Sequence, residues 1–335
     1  MKNAGISRRH EAWPDVAKGI GIILVVYGHV ARGIEAARLP IDPVFFSTVD
    51  ALIYAFHMPL FFVVSGYLMW GSISARGHRQ VAVSRTVMLL WLYLLWSVGH
   101  GSMEVLLGRF TNGNLDWPDV FALWLPRAHF WYLYALALMV LVAGASWLLP
   151  ARLRLPGLIT LSALLFAWPG LGTGWYVLLV TSWYLVYFAL GMLAAWLLSE
   201  DMLKASVPEI FASLTLASVA VLMLALLSDR GVQLILALGG VFVIGCVAVV
   251  LPRSSPRAAN WLAYLGSMAL PIYLAHIIAG SGVRIVLQRV FLVESVWLHL
   301  SLGVVAAVLL PVLLCKLSTR MGAGWLWSPP AVLGK

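Results

Sequence analysis

Long apolar runs fill most of the chain, and short stretches rich in polar residues, proline and glycine separate them. Crossing a hydrocarbon core about 30 Å thick takes roughly 20 apolar residues in a helix, and an open sheet could not satisfy its backbone groups there. The pattern predicts an all-α, polytopic helical bundle of about ten transmembrane helices, forming one domain over residues 1–335. The predicted spans are 16–34, 47–70, 83–104, 129–149, 157–170, 175–198, 208–227, 232–251, 261–283 and 296–317.

Composition excludes a water-soluble protein. Charged residues make up 10% of the chain and hydrophobic residues 62%, whereas a soluble domain carries about 25% charged residues. The net charge of +9 does not indicate a nucleic-acid partner, because the basic residues are dispersed through short loops without an aromatic-basic module. Membrane lipids are the simpler partner. Cys246 and Cys315 both lie inside apolar runs, so we expect packing residues and no metal site.

The distribution of basic residues predicts the orientation. Of the 22 Lys and Arg residues, 15 lie on the side of the amino terminus and 7 on the other side. Because Lys and Arg accumulate in cytoplasmic loops, both termini are predicted to be cytoplasmic. The basic amino terminus resembles a signal peptide, but we expect the apolar stretch after it to be a retained first helix.

The first predicted helix carries two ionisable residues on one face. Lys18 and His29 are eleven positions apart, which at about 100° per residue gives nearly the same face and roughly 16 Å along the axis. An ionisable side chain deep in a membrane is costly and marks a function by default, so His29 is predicted to be functional. The alternative for Lys18 is a snorkelling interfacial lysine paired with Asp15.

The second predicted helix crosses the membrane in the opposite direction and carries His57. Counting residues from each end places His57 close to the depth of His29, so the two histidines could meet. The alternative is a buried histidine with an ordinary hydrogen bond. Ser65 and Gly66, further along this helix, are by themselves typical of helix packing.

Other polar residues divide between the two faces. His129, Trp131 and Glu104 lie toward the outside, where aromatic planes and hydrogen-bonding groups suit a polyhydroxylated acceptor. Lys18 and Arg85 lie toward the inside, where they suit phosphates. An interfacial aromatic belt and ordinary positive-inside topology are the competing interpretations. These features fit a transporter as readily as an enzyme.

Motifs in order along the chain indicate a family. Residues 15–29, with Lys-x10-His, together with Phe-Phe-Val-Val-Ser-Gly at 61–66, resemble acyltransferase family 3 of bacterial membrane O-acyltransferases. The sequences of both segments are most similar to those of the branch that contains fucose 4-O-acetylase. Looser similarities follow at 129–134, 187–191 and 270–276.

The resemblance implies an activity and assigns residues to it. Family members transfer an acyl group, usually acetyl from cytoplasmic acetyl-CoA, to a sugar hydroxyl of a lipid-linked or exported glycan in the bacterial inner membrane. Acetyl-CoA is then a co-substrate, and no cofactor is implied. The essential histidine of the family falls on His29, its basic partner on Lys18 and its cytoplasmic arginine on Arg85. Its Phe-Phe-x-x-Ser-Gly motif places Ser65 at the donor site.

Acyl transfer needs a base for the attacking hydroxyl or a nucleophile for the acyl group, and an imidazole serves either role. We therefore expect His29 to act as base or acyl carrier, with His57 as a secondary catalytic candidate. The separation of Lys18 and His29 suits a donor whose phosphates stay at the cytoplasmic face while a long arm carries the thioester inward. A glycan or small-acid exporter without acyl transfer, and an acyltransferase with a non-sugar acceptor, remain alternatives.

Overall fold

The computed structural model describes residues 12–108, 115–169, 174–199 and 230–330, with the separate positions 215, 218, 219 and 226. Eleven α-helices lie in this part of the chain, and it contains no strand, which confirms the all-α prediction. They are α1 (Trp13–Ala36), α2 (Pro43–Arg76), α3 (His78–Leu106), α4 (Trp117–Phe121), α5 (Trp131–Ser146), α6 (Ala151–Ala167), α7 (Tyr176–Leu197), α8 (Gly231–Ser254), α9 (Pro256–Ser267), α10 (Ala269–Arg289) and α11 (Val296–Arg320). Two 3-10 turns lie at Ala128–Phe130 and Gly324–Leu326.

Eight segments in the described residues are helices long and apolar enough to cross a membrane. They are α1, α2, α3, the turn before α5 together with α5, α7, α8, α10 and α11. The chain is therefore a multi-pass membrane protein. The predicted span 157–170 falls largely within α6, whose 17 residues are few for a crossing. The predicted span 208–227 lies outside the continuously described residues.

The predicted span 261–283 is wrong as a single helix. The helix is interrupted at Met268. Its backbone N–H bonds to the carbonyls of Tyr264 and Leu265, and α9 ends there. Pro271 explains why the two helices do not merge, because its ring would clash with the carbonyl four residues earlier, that of Ser267. The helices on both sides of the break contact α1.

Helix α1 lies at the centre of the packing, in contact with α2, α8, α9, α10 and α11. Its approach to α9 is a backbone contact, because a Cβ at Gly19 would collide with the carbonyl of Leu262. A Cβ at Gly266 of α9 would likewise collide with the carbonyl of Asp15. Small residues at such crossings let helix backbones approach closely in a membrane.

A second close crossing joins α2 to α7. Gly66 of α2 faces the carbonyl of Phe188, and Gly191 of α7 faces the carbonyl of Val63, with no room for a Cβ at either glycine. Gly66 is the glycine of the Phe-Phe-x-x-Ser-Gly motif, so one residue of that motif serves packing.

Candidate functional site

Four histidines from four separate elements meet inside the bundle. His29 of α1 lies with its ring centroid 5.0 Å from that of His276 on α10 and 6.0 Å from that of His129 in the turn before α5. His129 in turn lies 5.0 Å from His276 and 5.6 Å from His100 on α3. The pairs meet at large interplanar angles, edge to face. We call these four residues the histidine cluster.

Backbone carbonyls hold the cluster in place. The Nδ1 of His29 bonds to the carbonyl of Val25 at 3.0 Å, and the Nδ1 of His276 bonds to the carbonyl of Tyr273 at 2.8 Å. A carbonyl oxygen only accepts hydrogen bonds, so Nδ1 carries the hydrogen in both rings. In its neutral form each ring therefore has its lone pair on Nε2.

Two further bonds fix α10 against the rest of the cluster. His100 Nε2 donates to the carbonyl of Leu274 at 2.9 Å, and the Tyr273 hydroxyl donates to the carbonyl of His129. His129 itself is buried, and neither of its ring nitrogens has a hydrogen-bond partner among the described residues. Such a group is costly to bury, which makes it a candidate for function.

A cavity of about 150 Å³, the Lys18 cavity, lies on one side of the cluster. Its polar lining comes from Lys18, Ser65, Tyr132, Ser267 and Tyr273. Lys18 also pairs with Asp15 at 2.7 Å, and the hydroxyls of Ser65 and Tyr132 share a hydrogen bond of 3.2 Å. The remaining lining is mostly apolar, which suits a long, weakly polar group.

A larger cavity of about 380 Å³, the histidine cavity, lies on the other side. Its polar lining includes three histidines of the cluster and two charged residues, and these are His29, His100, His276, Glu104 and Arg284. The two cavities follow one another along α1 and α10. Val25 and Tyr273 line the Lys18 cavity, and His29 and His276, about one helical turn further along, line the histidine cavity.

His57, the predicted partner of His29, lies on the other side of the Tyr54 ring. His57 is buried and bonds to the carbonyl of Ile53 at 2.8 Å, and its ring packs 4.5 Å from that of Tyr54. Tyr54 is also the ring neighbour of His29 from α2, at 6.4 Å. His57 and His29 thus share Tyr54 as a ring neighbour, and the other rings that pack against His29 are those of His276 and His129.

The other predicted site residues divide into two groups. Lys18 and Ser65 line one cavity, and Glu104 lines the other. Arg85 and Trp131 line neither cavity. Arg85 donates to the Ser72 hydroxyl at 2.6 Å, and Trp131 stacks on Tyr184 with ring centroids 5.3 Å apart.

His129 was predicted to contact the acceptor, but it lies behind the cavity wall within the cluster. His276 belonged to one of the looser similarities, and its position inside an apolar segment is the signal that could have selected it. Among the described residues no group of three His, Cys, Asp or Glu side chains is arranged to hold a metal ion.

Comparison with known proteins assigns the family. The sequence profile described as an acyltransferase domain, that of acyltransferase family 3, matches residues 11–316. The chain belongs to this family. Membership confirms the resemblance drawn from the motifs, and it implies an acyl donor and an acyl acceptor.

Two curated proteins that are similar to part of this chain carry the same name, nodulation protein NolL. The protein from Mesorhizobium japonicum is 38% identical over 105 residues, covering 28% of this chain and 26% of the relative. The protein from Sinorhizobium fredii is 38% identical over 94 residues, covering 28% of this chain and 25% of the relative. The match thus spans about a quarter of the length of either relative. No solved structure matches this chain.

Proposed function

We propose that this protein is a membrane O-acyltransferase that moves an acetyl group from cytoplasmic acetyl-CoA to a sugar hydroxyl of a lipid-linked or exported glycan. The observation that carries the proposal is the arrangement of two cavities that follow one another at His29. A reaction between a donor and an acceptor from opposite sides of a membrane needs two such chambers and a reactive group between them. We place the protein in the bacterial inner membrane with both termini cytoplasmic.

The Lys18 cavity is proposed to receive the donor. The distance of roughly 16 Å along α1 from Lys18 to His29 leaves room for an extended pantetheine arm between the phosphates and the thioester. Lys18 would contact a phosphate through a charge-assisted hydrogen bond. Tyr132 and Tyr273 line the same cavity, where they would pack along the arm.

The histidine cavity is proposed to receive the acceptor. Glu104, His100 and Arg284 supply hydrogen-bonding groups of both kinds along its wall, and its volume of about 380 Å³ is that of a small-molecule site. A sugar offers hydroxyls that both donate and accept, so this mixed lining favours a polyhydroxylated ligand over a purely apolar lipid.

His29 is proposed to be the reactive group. Its Nδ1 is held by the Val25 carbonyl, so Nε2 is free to act as a base or to carry the acyl group. In the base mechanism the hydroxyl loses its proton as its oxygen attacks the thioester carbon. The C–S bond then breaks, and the thiolate takes up a proton to leave as free CoA.

The experiment is acetyl transfer by purified protein in detergent without any ion gradient. Radiolabelled acetyl-CoA and a total glycolipid extract are supplied, and thiol release and label in the glycolipid fraction are measured. His29→Asn keeps a donor near the Nδ1 position but lacks Nε2, so transfer should fall by about 10² to 10⁴-fold.

The matched control is His299→Gln. His299 is more deeply buried than His29 and is anchored through Nε2 to the Val293 carbonyl, but it lines neither the Lys18 cavity nor the histidine cavity. Its activity at equal protein amount should stay near wild type. If the wild-type protein transfers no acetyl group in the absence of an ion gradient, the proposal is contradicted and an exporter is favoured.

A further inference from the structure

Resting on the proposed function, the geometry points to His276 as a second catalytic histidine, the group that accepts the proton of the acceptor hydroxyl. His276 lies on α10 beside His29, and both residues line the histidine cavity. Their centroids are 5.0 Å apart, so one small acceptor group can contact both imidazoles.

The hydrogen bonds of His276 leave one nitrogen available. Nδ1 donates toward the carbonyls of Tyr273 at 2.8 Å and Ile272 at 3.1 Å. Nε2 is buried and has no hydrogen-bond partner among the described residues. A buried lone pair without a donor is costly. A hydroxyl bound in the histidine cavity would supply that donor, and it is the group whose proton must be removed.

The other histidines fit this role less well. His129 lines neither cavity and is enclosed by the rings of Phe130, Tyr273 and the cluster. His57 packs against Tyr54 and also lines neither cavity. His100 lines the histidine cavity, but within the cluster its ring packs against that of His129 rather than that of His29.

Acyl transfer requires two proton transfers, one from the hydroxyl and one to the thiolate, and with two histidines each transfer has its own imidazole. The hydroxyl proton moves to Nε2 of His276 while the hydroxyl oxygen bonds to the thioester carbon and the C–S bond breaks. The proton then passes from His276 to the neighbouring His29. His29 lies one turn beyond Val25, which lines the Lys18 cavity, and delivers the proton to the departing thiolate. The products are an ester and a free thiol, and the imidazoles return to their neutral form.

The test compares His276→Asn with the wild-type protein and with His299→Gln in the acetyl-transfer assay. Asparagine can keep the bond to the Tyr273 carbonyl, so the main loss is Nε2. We expect kcat to fall by about 10² to 10⁴-fold with little change in the KM for acetyl-CoA, since the donor cavity is untouched. His299 is the matched control because one of its ring nitrogens, Nδ1, is also buried without a partner among the described residues.

Chemical rescue separates a catalytic role from a structural one. Added imidazole should restore part of the activity of His276→Ala in a saturable manner, because the histidine cavity adjoins the space left by the ring. The transfer activity of the double variant His29→Asn/His276→Asn should be only slightly lower than that of the less active single variant, as expected for groups that act as a unit.

The outcomes distinguish this inference from the proposed function. No acetyl transfer by the wild-type protein would overturn the function itself. Normal wild-type transfer with a near-normal kcat for His276→Asn would overturn the role of His276 alone. A loss in His276→Ala that imidazole does not restore, matched by an equal loss in His299→Gln, would also overturn that role, because it would assign the effect to packing.

Discussion

Replacing Gly66 by alanine should destabilise the bundle at the crossing of α2 and α7. A Cβ at this position would lie 2.9 Å from the Phe188 carbonyl carbon and 3.1 Å from the Met192 nitrogen. Carbon atoms pack favourably at about 3.5 to 4.0 Å. The obstacle is backbone, so no side chain can rotate away and the helices must separate by about 1 Å, a gap that already forfeits up to about half of each contact's attraction. The expected cost is about 1 to 3 kcal/mol.

Gly71→Ala on the same helix is the control for Gly66→Ala. No atom lies within 4 Å of a Cβ built there, and alanine is favoured over glycine in a helix by about 1 kcal/mol. The assay is the temperature at which half of the detergent-solubilised protein remains monodisperse. Gly66→Ala should lower this temperature and Gly71→Ala should leave it unchanged or raise it. Equal temperatures for the two variants would refute the close-crossing argument.

Two further predictions concern the donor side and the topology. Lys18→Ala should raise the KM for acetyl-CoA, because Lys18 lines the cavity proposed for the donor, whereas Arg85→Ala should change stability rather than this KM, because Arg85 bonds to Ser72 instead. Equal donor effects in both would place Arg85 in the site after all. With both native cysteines replaced, a cysteine at His78 should resist a membrane-impermeant thiol reagent added to intact cells, and strong labelling would overturn the cytoplasmic assignment.

The helices could be predicted because the membrane imposes one length and one polarity on each span. Apolar runs with polar or proline-containing ends predicted α1, α3, α8 and α11 well, within a few residues. The break between α9 and α10 was missed because only Gly266 and Ser267 interrupt the apolar stretch around Met268, too little for hydropathy alone to register the end of a helix. Pro271 was the available signal, but prolines occur inside α2 and α11 without dividing them.

Part of the site was also accessible from the sequence. Lys18 and His29 share a helix, so their common face follows from the helical repeat alone, and both line cavities that follow one another. The role predicted for Trp131 rested on the side of the membrane where it lies, and that of Arg85 rested on its side together with the family resemblance. That information gives a depth but not a direction, and both side chains point into contacts between helices.

The choice between His57 and His276 shows what a depth calculation lacks. His57 and His29 were expected at one level, but α2 turns Tyr54 toward α1, so close that a Cβ at Gly28 would lie 2.9 Å from the Tyr54 ring. His276 reaches His29 from α10, and only the packing of α1 against α10 sets that meeting. Treating every histidine in an apolar span as functional would have selected His276, but it would also have selected His299, which lines neither cavity of the site. A buried histidine therefore becomes a catalytic candidate only when its free nitrogen adjoins a chamber that a substrate can enter.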